Sequence, residues 1–308
     1  MGTNRSFARV GVIPALALAV TLAGCQGLQS DAGDEPVRDQ PPGVAVDPDS
    51  PLLQIDLGGG FVMVGYDFST VPQLTVYADG RVIVTGPQIE IFPAPALPNL
   101  QVEQLSEADV EALIAAAFDA GLLGEIPDYG EPLITDVPTT FVTLTVDGHQ
   151  YVHAAYALGI GEGEAMAGDD DLTPADLGIT EEQLAARIAL STFIADANEL
   201  VGSAGDGEFY EITAFGIFAM PATNVDEGLE DTEPEVQVLP WPLDLALADA
   251  TECTLVDGAD AQVLLETLAG ANQATQFEQD GAAYQAGATY QVFFRPLLPH
   301  ESGCEGLV

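Results

Sequence analysis

Alternating apolar and polar positions predict two β-hairpins in the first half of the chain. The strings at 74–77 and 81–84 flank an Asp-Gly pair, as do the strings at 139–146 and 149–156. An Asp-Gly pair supplies the positive φ that a tight hairpin turn requires. Further strand-like runs lie at 52–56, 61–64, 208–220, 276–277 and 289–294.

Apolar residues at helical spacing predict three helices between these strands. The first begins at Ser106, with Asp109 three residues later, and the second at Thr180, with Gln183 three residues later. Both pairs resemble a capping box, and the third helix covers 260–271. The sequence therefore predicts an α+β fold, with antiparallel sheets and packed helices.

Glycines at 202–207 predict a boundary between an N-terminal α+β unit, 51–205, and a C-terminal α+β unit, 206–308. The string ADVEALIA at 108–115 resembles ADAQVLLE at 259–266. This echo raises the hypothesis of two related sheet-and-helix units. A shared helical pattern alone also produces such a match.

The first 24 residues have the layout of a signal peptide. Arg5 and Arg9 precede an apolar run over 10–23, which is shorter than the roughly 20 residues that span a bilayer. The string LAGC at 22–25 resembles the lipobox of bacterial lipoproteins, in which the cysteine is acylated and becomes the new N-terminus. We expect a lipid anchor on Cys25; the alternative is an ordinary cleaved signal peptide.

The segment 25–50 then reads as the acylated cysteine and an acidic, proline-rich tether. We expect the folded part to be held at the extracytoplasmic face of the cell membrane. With Cys25 acylated, Cys253 and Cys304 remain as a pair, which outside the cytoplasm usually forms a disulfide. The alternative is two buried thiols, and a zinc site is disfavoured because neither cysteine has a paired neighbour.

The net charge of the chain predicts the character of its surface. The chain has 49 acids, six arginines and no lysine, with a formal net charge of −43, yet 47% of it is hydrophobic. It is therefore predicted to fold around a core and to present an acidic surface, as halophilic proteins do. An acidic protein from a high-GC genome is the alternative. Such a charge argues against nucleic acid as a partner.

The absence of lysine excludes a Walker A loop, a Schiff-base lysine and a serine–lysine dyad. The triplet Gly58-Gly59-Gly60 precedes a predicted strand rather than a helix, so it is not a dinucleotide-binding motif. No carboxylate pair stands out as the acid and base of a glycosidase. We assign no catalytic residue.

Two kinds of metal site are weak candidates. Acidic loops at 162–176 and 226–235 are rich in the oxygen ligands that calcium prefers, although such loops arise by chance in a chain this acidic. His149 and His153 would lie on one face of a strand, where two exposed or half-buried hairpin residues are the simpler interpretation. The candidate calcium ligands are Asp169, Asp170, Asp171, Asp226 and Glu227.

Trp241 and Arg295 are weak candidates for binding. Trp241, the only tryptophan, lies between two prolines and could stack on a sugar or peptide, or fill the gap between the two units. Arg295 is the only base in the last hundred residues. We expect it to pair with a carboxylate such as Glu301; binding a substrate carboxylate is the alternative.

Several strings together resemble a family of secreted or lipid-anchored proteins of actinobacteria and their neighbours, a family without known function. The resemblance implies an α+β fold and an extracytoplasmic setting, and it brings no catalytic residues. The family has aspartate at the position of His300, which argues against a role for that histidine. The strings are QLTVYADGRVIVTGPQIE (73–90), APALPNLQV (94–102), DVPTT (136–140) and FFRPLLPHESGC (293–304).

These observations favour a non-enzymatic binding or scaffolding protein of the cell envelope, with an envelope protein or a glycan as partner. The alternative is an envelope hydrolase that uses carboxylates, with or without a metal. A pocket holding carboxylates of raised pKa would favour the enzyme, and an exposed apolar patch would favour a partner protein.

Overall fold

The computed structural model describes residues 48–160, 174–202, 207–222, 236–279 and 288–305. The expectations for acylation and for calcium fall outside these ranges and stay predictions. They concern Cys25, Asp169, Asp170, Asp171, Asp226 and Glu227.

The first sheet has seven strands within the described ranges. They are Pro51–Gly58 (β1), Leu74–Tyr77 (β2), Arg81–Thr85 (β3), Leu100–Gln104 (β4), Thr139–Val146 (β5), His149–Tyr156 (β6) and Glu208–Phe209 (β7). They lie in the order β6-β5-β1-β2-β3-β4-β7, and every neighbouring pair is antiparallel. Both predicted hairpins form, with Gly80 and Gly148 at φ of 83° and 74° in the turns.

The described part of the chain contains four α-helices. They are Tyr66–Ser69 (α1), Glu107–Asp119 (α2), Glu181–Gly202 (α3) and Gly258–Leu268 (α4). Ser106 and Asp109 form the predicted capping box of α2, and Thr180 and Gln183 bond each other's amides at the start of α3. None of these described helices is both long and apolar enough to cross a bilayer.

The first core lies between one face of the first sheet and helices α2 and α3. Alternate strand residues such as Val76 and Leu144 meet Leu113 of α2 and Leu190 and Phe193 of α3, and all five side chains are buried. Burying an apolar side chain of this size contributes about 1.5–3 kcal/mol to folding.

The second sheet has five strands in the described ranges, in the order β10-β8-β12-β11-β9. Its strands are Ala214–Pro221 (β8), Val238–Pro240 (β9), Thr254–Asp257 (β10), Gln276–Gln279 (β11) and Ala288–Pro296 (β12). Only β9 and β11 pair in parallel among these described strands. Helix α4 covers one face, where Leu264 packs in a core with Phe215, Ile217 and Phe277.

The predicted α+β class is confirmed, but the predicted strand at 61–64 is wrong. Gly59 and Gly60 have φ of 74° and 83°, and the chain leaves the sheet there for a turn and the short helix α1. The chain passes to the second sheet only after β7, whose residues pair with β4.

The second sheet does not repeat the connectivity of the first. In the first sheet, β5, which directly follows α2, lies beside the opening strand β1. In the second, the last strand, β12, lies beside the opening strand β8. The strings at 108–115 and 259–266 are therefore similar although the two sheets have different strand orders.

Two segments pack against the other sheet. Ala96 and Leu97, in the loop between β3 and β4, pack against the second core, where the Ala96 amide donates to the Ala271 carbonyl at 3.2 Å. In return, Leu298, just after β12, is buried against the first sheet, together with Tyr77 of β2. These two contacts join the two sheets.

Arg187 of α3 is completely buried and ties two turns to the helix. Its Nη1 donates to the carbonyls of Tyr129 and Tyr156 at 3.3 and 3.0 Å, and its Nη2 donates to that of Ala157 at 2.6 Å. Ala157 has a φ of 53°, which L-residues rarely adopt. These bonds hold the end of β6 in place.

We expect Arg187→Met to lower the free energy of unfolding by about 3 kcal/mol, because three buried carbonyls lose their donor. Arg81→Met is the matched control: Arg81 pairs with Asp49 at 2.6 Å, but 30% of its side chain is exposed. An exposed pair contributes only about 0–1 kcal/mol. Chemical denaturation measures both; equal losses in the two variants would contradict a structural role for Arg187.

Candidate functional site

The faces of the two sheets that carry no long helix meet around α1 and the segment after β12. Along β12, Val292 and Phe294 pack in the second core, so the alternate residues Phe293 and Arg295 point to the other face. Phe293 stacks on Phe218 of β8, and Phe68 of α1 contacts Phe218 edge-on.

An ion pair fixes the segment after β12. Arg295 Nη2 donates to Glu301 Oε1 at 2.5 Å, and the two side chains are 8% and 9% exposed. Glu301 Oε2 accepts the Leu298 amide at 2.7 Å, which closes a turn. This is the carboxylate partner that the sequence analysis named for Arg295. The candidate binding role of Arg295 is therefore replaced by a structural one.

His300 lies in the same turn and bonds two residues of the first sheet. Its Nε2 is 3.2 Å from Gln54 Nε2, and its Nδ1 is 2.9 Å from the Tyr77 hydroxyl. Because an amide nitrogen only donates, Nε2 accepts and the proton sits on Nδ1. Burial lowers the pKa of His300, and Arg295 lowers it further, whereas Glu301 raises it. His300 is therefore neutral in the fold.

Asp56 of β1 is half-buried beside this turn. Its Oδ1 accepts the Leu57 amide at 2.8 Å. Burial raises the pKa of Asp56, the Leu57 amide and Arg295 lower it, and the charges of Glu301 and Asp67 raise it. Burial has the largest effect, so the charged form of Asp56 is poorly stabilised.

A cavity of about 530 Å³ opens next to Asp56, between the two sheets. This volume lies in the range of roughly 300–1,000 Å³ that is typical of small-molecule sites. Residues from β1, the loop at 59–73, the loop at 85–98 and β12 line it. Its carboxylates are those of Asp56, Asp67 and Asp136.

Four exposed apolar residues border this cavity, and we call them the apolar rim: Phe61, Val62, Met63 and Tyr66. Phe61 and Met63 are 88% and 78% exposed. Phe92, in the segment between β3 and β4, is 86% exposed. Apolar groups of this size grouped on one surface are typical of a binding site.

Gly65 holds the apolar rim against the second sheet. It has a φ of 83°, and a Cβ added there would lie 2.5 Å from the Phe293 ring. The position therefore requires glycine for two reasons: the left-handed backbone and the close approach to Phe293.

A second cavity, of about 460 Å³, lies on the other side of Gly65. Phe68 and Phe218 line it together with Cys253 and Cys304, which form the predicted disulfide at an S–S distance of 2.02 Å. The disulfide joins the start of β10 to the end of the described chain, 51 residues later.

The structure corrects both interpretations of Trp241. The ring is only 8% exposed and packs edge-on against Phe277 in the second core, and its Nε1 donates to the Leu245 carbonyl at 2.8 Å. It is neither a surface platform nor a contact between the sheets. Pairing of β9 with β11 carries it there, since the Trp241 amide bonds the Glu278 carbonyl.

The two-histidine site is not assembled either. His153 is completely buried, and both ring nitrogens have partners: the Tyr129 hydroxyl at 2.7 Å and the Leu122 carbonyl at 2.9 Å. His149 is exposed at the start of β6. Nowhere in the described ranges do three or more histidine, cysteine or acidic side chains form a group that could hold a metal ion.

Sequence reasoning missed Asp56, the cavity and the apolar rim. One signal was available: the apolar run 61–64 directly follows three glycines, which favour leaving a sheet over extending it. No known protein family, curated protein or solved structure matches the chain. The resemblance carried by the loop strings stays a prediction.

We expect Gly65→Ala to destabilise the protein more than Gly59→Ala. Both positions have positive φ, but a Cβ at Gly59 meets nothing within 4 Å. Gly59→Ala should cost about 1–2 kcal/mol for its backbone alone. Overpacking against Phe293 should add about 1–3 kcal/mol for Gly65→Ala. Denaturant unfolding measures the difference, and equal costs would show that the Phe293 contact is unimportant.

We also expect His300 to make stability fall in mild acid. Its folded pKa is lowered, so below about pH 6.5 the unfolded chain binds a proton that the folded chain does not. This loss should be smaller in His300→Gln than in the unsubstituted chain. His149→Gln, which removes an exposed histidine, is the control. Unfolding free energies between pH 7 and pH 5 test this, and an unchanged slope in His300→Gln would contradict it.

Proposed function

We propose that the protein is a non-enzymatic binding protein of the cell envelope and that the cavity between the sheets is its ligand site. The observation that carries the proposal is the cavity itself: about 530 Å³, with Phe61 and Met63 exposed at its edge. Exposed apolar side chains are costly in water unless a ligand or partner covers them.

The proposal includes a lipid anchor at Cys25 and an extracytoplasmic location. The lipobox-like string at 22–25 supports the anchor, and the disulfide supports an oxidising compartment. A saline environment accounts for the charge of −43, because concentrated salt screens self-repulsion. Concentrated salt that is excluded from the protein surface also strengthens apolar contacts. The envelope supplies the ligand or the partner protein.

An envelope hydrolase is the second candidate, because Asp56 is a half-buried carboxylate of raised pKa that lines a cavity. Such an enzyme needs a second group to act with it. Glu301, whose charge acts on Asp56, is held by Arg295 and the Leu298 amide. A carboxylate fixed in this way is committed to the fold, so the binding function is the better supported one.

The test is the binding of the neutral, polarity-sensitive fluorophore prodan to the full chain carrying Cys25→Ser, which cannot be acylated. We expect fluorescence enhancement, and at least about tenfold weaker binding when Phe61→Ser and Met63→Ser remove apolar area from the rim. The control pair is Leu255→Ser with Val263→Ser, on β10 and α4, where the side chains are 42% and 39% exposed.

The control pair should bind prodan within about twofold of the unsubstituted chain, because neither residue lines the cavity. Equal weakening by both pairs would mean that the dye reports general surface hydrophobicity. An unsubstituted chain that does not bind prodan would contradict the proposed site.

A further inference from the structure

The described lining of the cavity carries three carboxylates and no basic side chain. The carboxylates are those of Asp56, Asp67 and Asp136. Within the described ranges, none of the three carboxylates forms an ion pair. Acids are common throughout this chain, so their presence alone decides nothing.

Asp56 differs from the other two in its surroundings. Asp67 and Asp136 are exposed to water, whereas Asp56 is half-buried. Arg295, a cation that acts on it, is bonded through Nη2 to Glu301, and the charges of Glu301 and Asp67 oppose that of Asp56. A cation placed in the cavity would stabilise the charged form of Asp56 without breaking any bond of the fold.

The remaining walls favour an organic cation over a metal ion. Phe61, Met63 and Phe293 supply apolar contact surface. No metal-binding group of three ligands occurs among the described residues, and a calcium ion needs six to eight oxygens. An ammonium needs only three acceptors, and the amide side chains of Gln73 and Gln88 also line the cavity.

We propose that the cavity binds a small organic monocation, an apolar body that carries one ammonium group, with the ammonium at Asp56 and the body against the apolar rim and Phe293. This inference rests on the binding function proposed above for the same cavity. It adds the class of ligand, since a neutral or anionic compound of the same shape would bring no positive charge to Asp56.

The experiment compares three six-carbon probes that differ in charge: hexylammonium, hexan-1-ol and hexanoate. The protein is the full chain with Cys25→Ser, and binding is followed by calorimetry or by NMR of the probe. The buffer contains about 1 M NaCl, where the Debye length is about 3 Å, so that attraction to the acidic surface as a whole is screened.

We expect hexylammonium to bind at least about tenfold more tightly than hexan-1-ol, and hexanoate to bind most weakly. Asp56→Asn should weaken the binding of hexylammonium about tenfold and leave the affinity for hexan-1-ol unchanged, since it removes a charge and barely changes the shape of the side chain. Glu111→Gln removes the same charge from an exposed position on α2, which packs on the opposite face of the first sheet. It should leave all three affinities within about twofold.

Each other outcome overturns the inference in a recognisable way. Equal affinity for hexylammonium and hexan-1-ol would overturn the cation and leave the binding function standing. An equal effect of Glu111→Gln and Asp56→Asn would reduce the binding to general attraction by an acidic protein. Displacement of hexylammonium by calcium at matched ionic strength would assign the site to a metal. Failure of all three probes would contradict the binding function as well.

If Asp56→Asn does not fold, the order of the three probes on the unsubstituted chain still decides. Asp136→Asn then serves as the second variant, because it removes an exposed lining charge away from the Arg295 turn. Asp136→Asn should weaken the binding of hexylammonium. The factor of this weakening should be smaller than the factor by which the chain without it prefers hexylammonium to hexan-1-ol.

Discussion

The ion pair between Arg295 and Glu301 is the interaction on which the joining of the two sheets depends. Glu301 bonds both the guanidinium and the Leu298 amide, so the chain turns back immediately after β12. That turn places Leu298 in the cluster with Tyr77 and sets His300 against the Tyr77 hydroxyl. Bringing two charges out of water is costly, and the added amide bond offsets part of that cost.

Each of the two buried arginines in the described part of the chain has a structural role. In the described part of the chain, Arg187 and Arg295 are 0% and 6% exposed; Arg187 bonds carbonyls 30 to 58 residues away, and Arg295 bonds Glu301 in the turn after β12. In concentrated salt an exposed ion pair contributes little, because screening acts within a few ångströms. Buried pairs are screened much less, so the pair of Arg295 and Glu301 keeps its contribution in concentrated salt.

Local signals predicted the regular elements, and contacts between distant segments decided the site. The Asp-Gly turns and the capping pair at Ser106 depend on neighbours within a few residues, so the sequence shows them directly. Asp56 reads as an ordinary polar position in a strand. Burial is the largest cause of its raised pKa, and the charges of Arg295 and Glu301, from the far end of the chain, also act on it. The hydrophobic periodicity of a sequence does not show such a contact. The same holds for Trp241, which lies in the second core because β9 pairs in parallel with β11.

The charge of the protein also explains how it tolerates an open apolar site. Phe61 and Met63 would promote self-association on a neutral surface, since large exposed apolar groups attract one another. A net charge of −43 keeps copies apart at low salt, but this repulsion weakens as salt rises. In the saline envelope proposed above, we therefore expect a ligand or partner to cover the rim. Asp56 lines the same cavity, so an occupant with a positive end would cover the rim and complement this half-buried carboxylate.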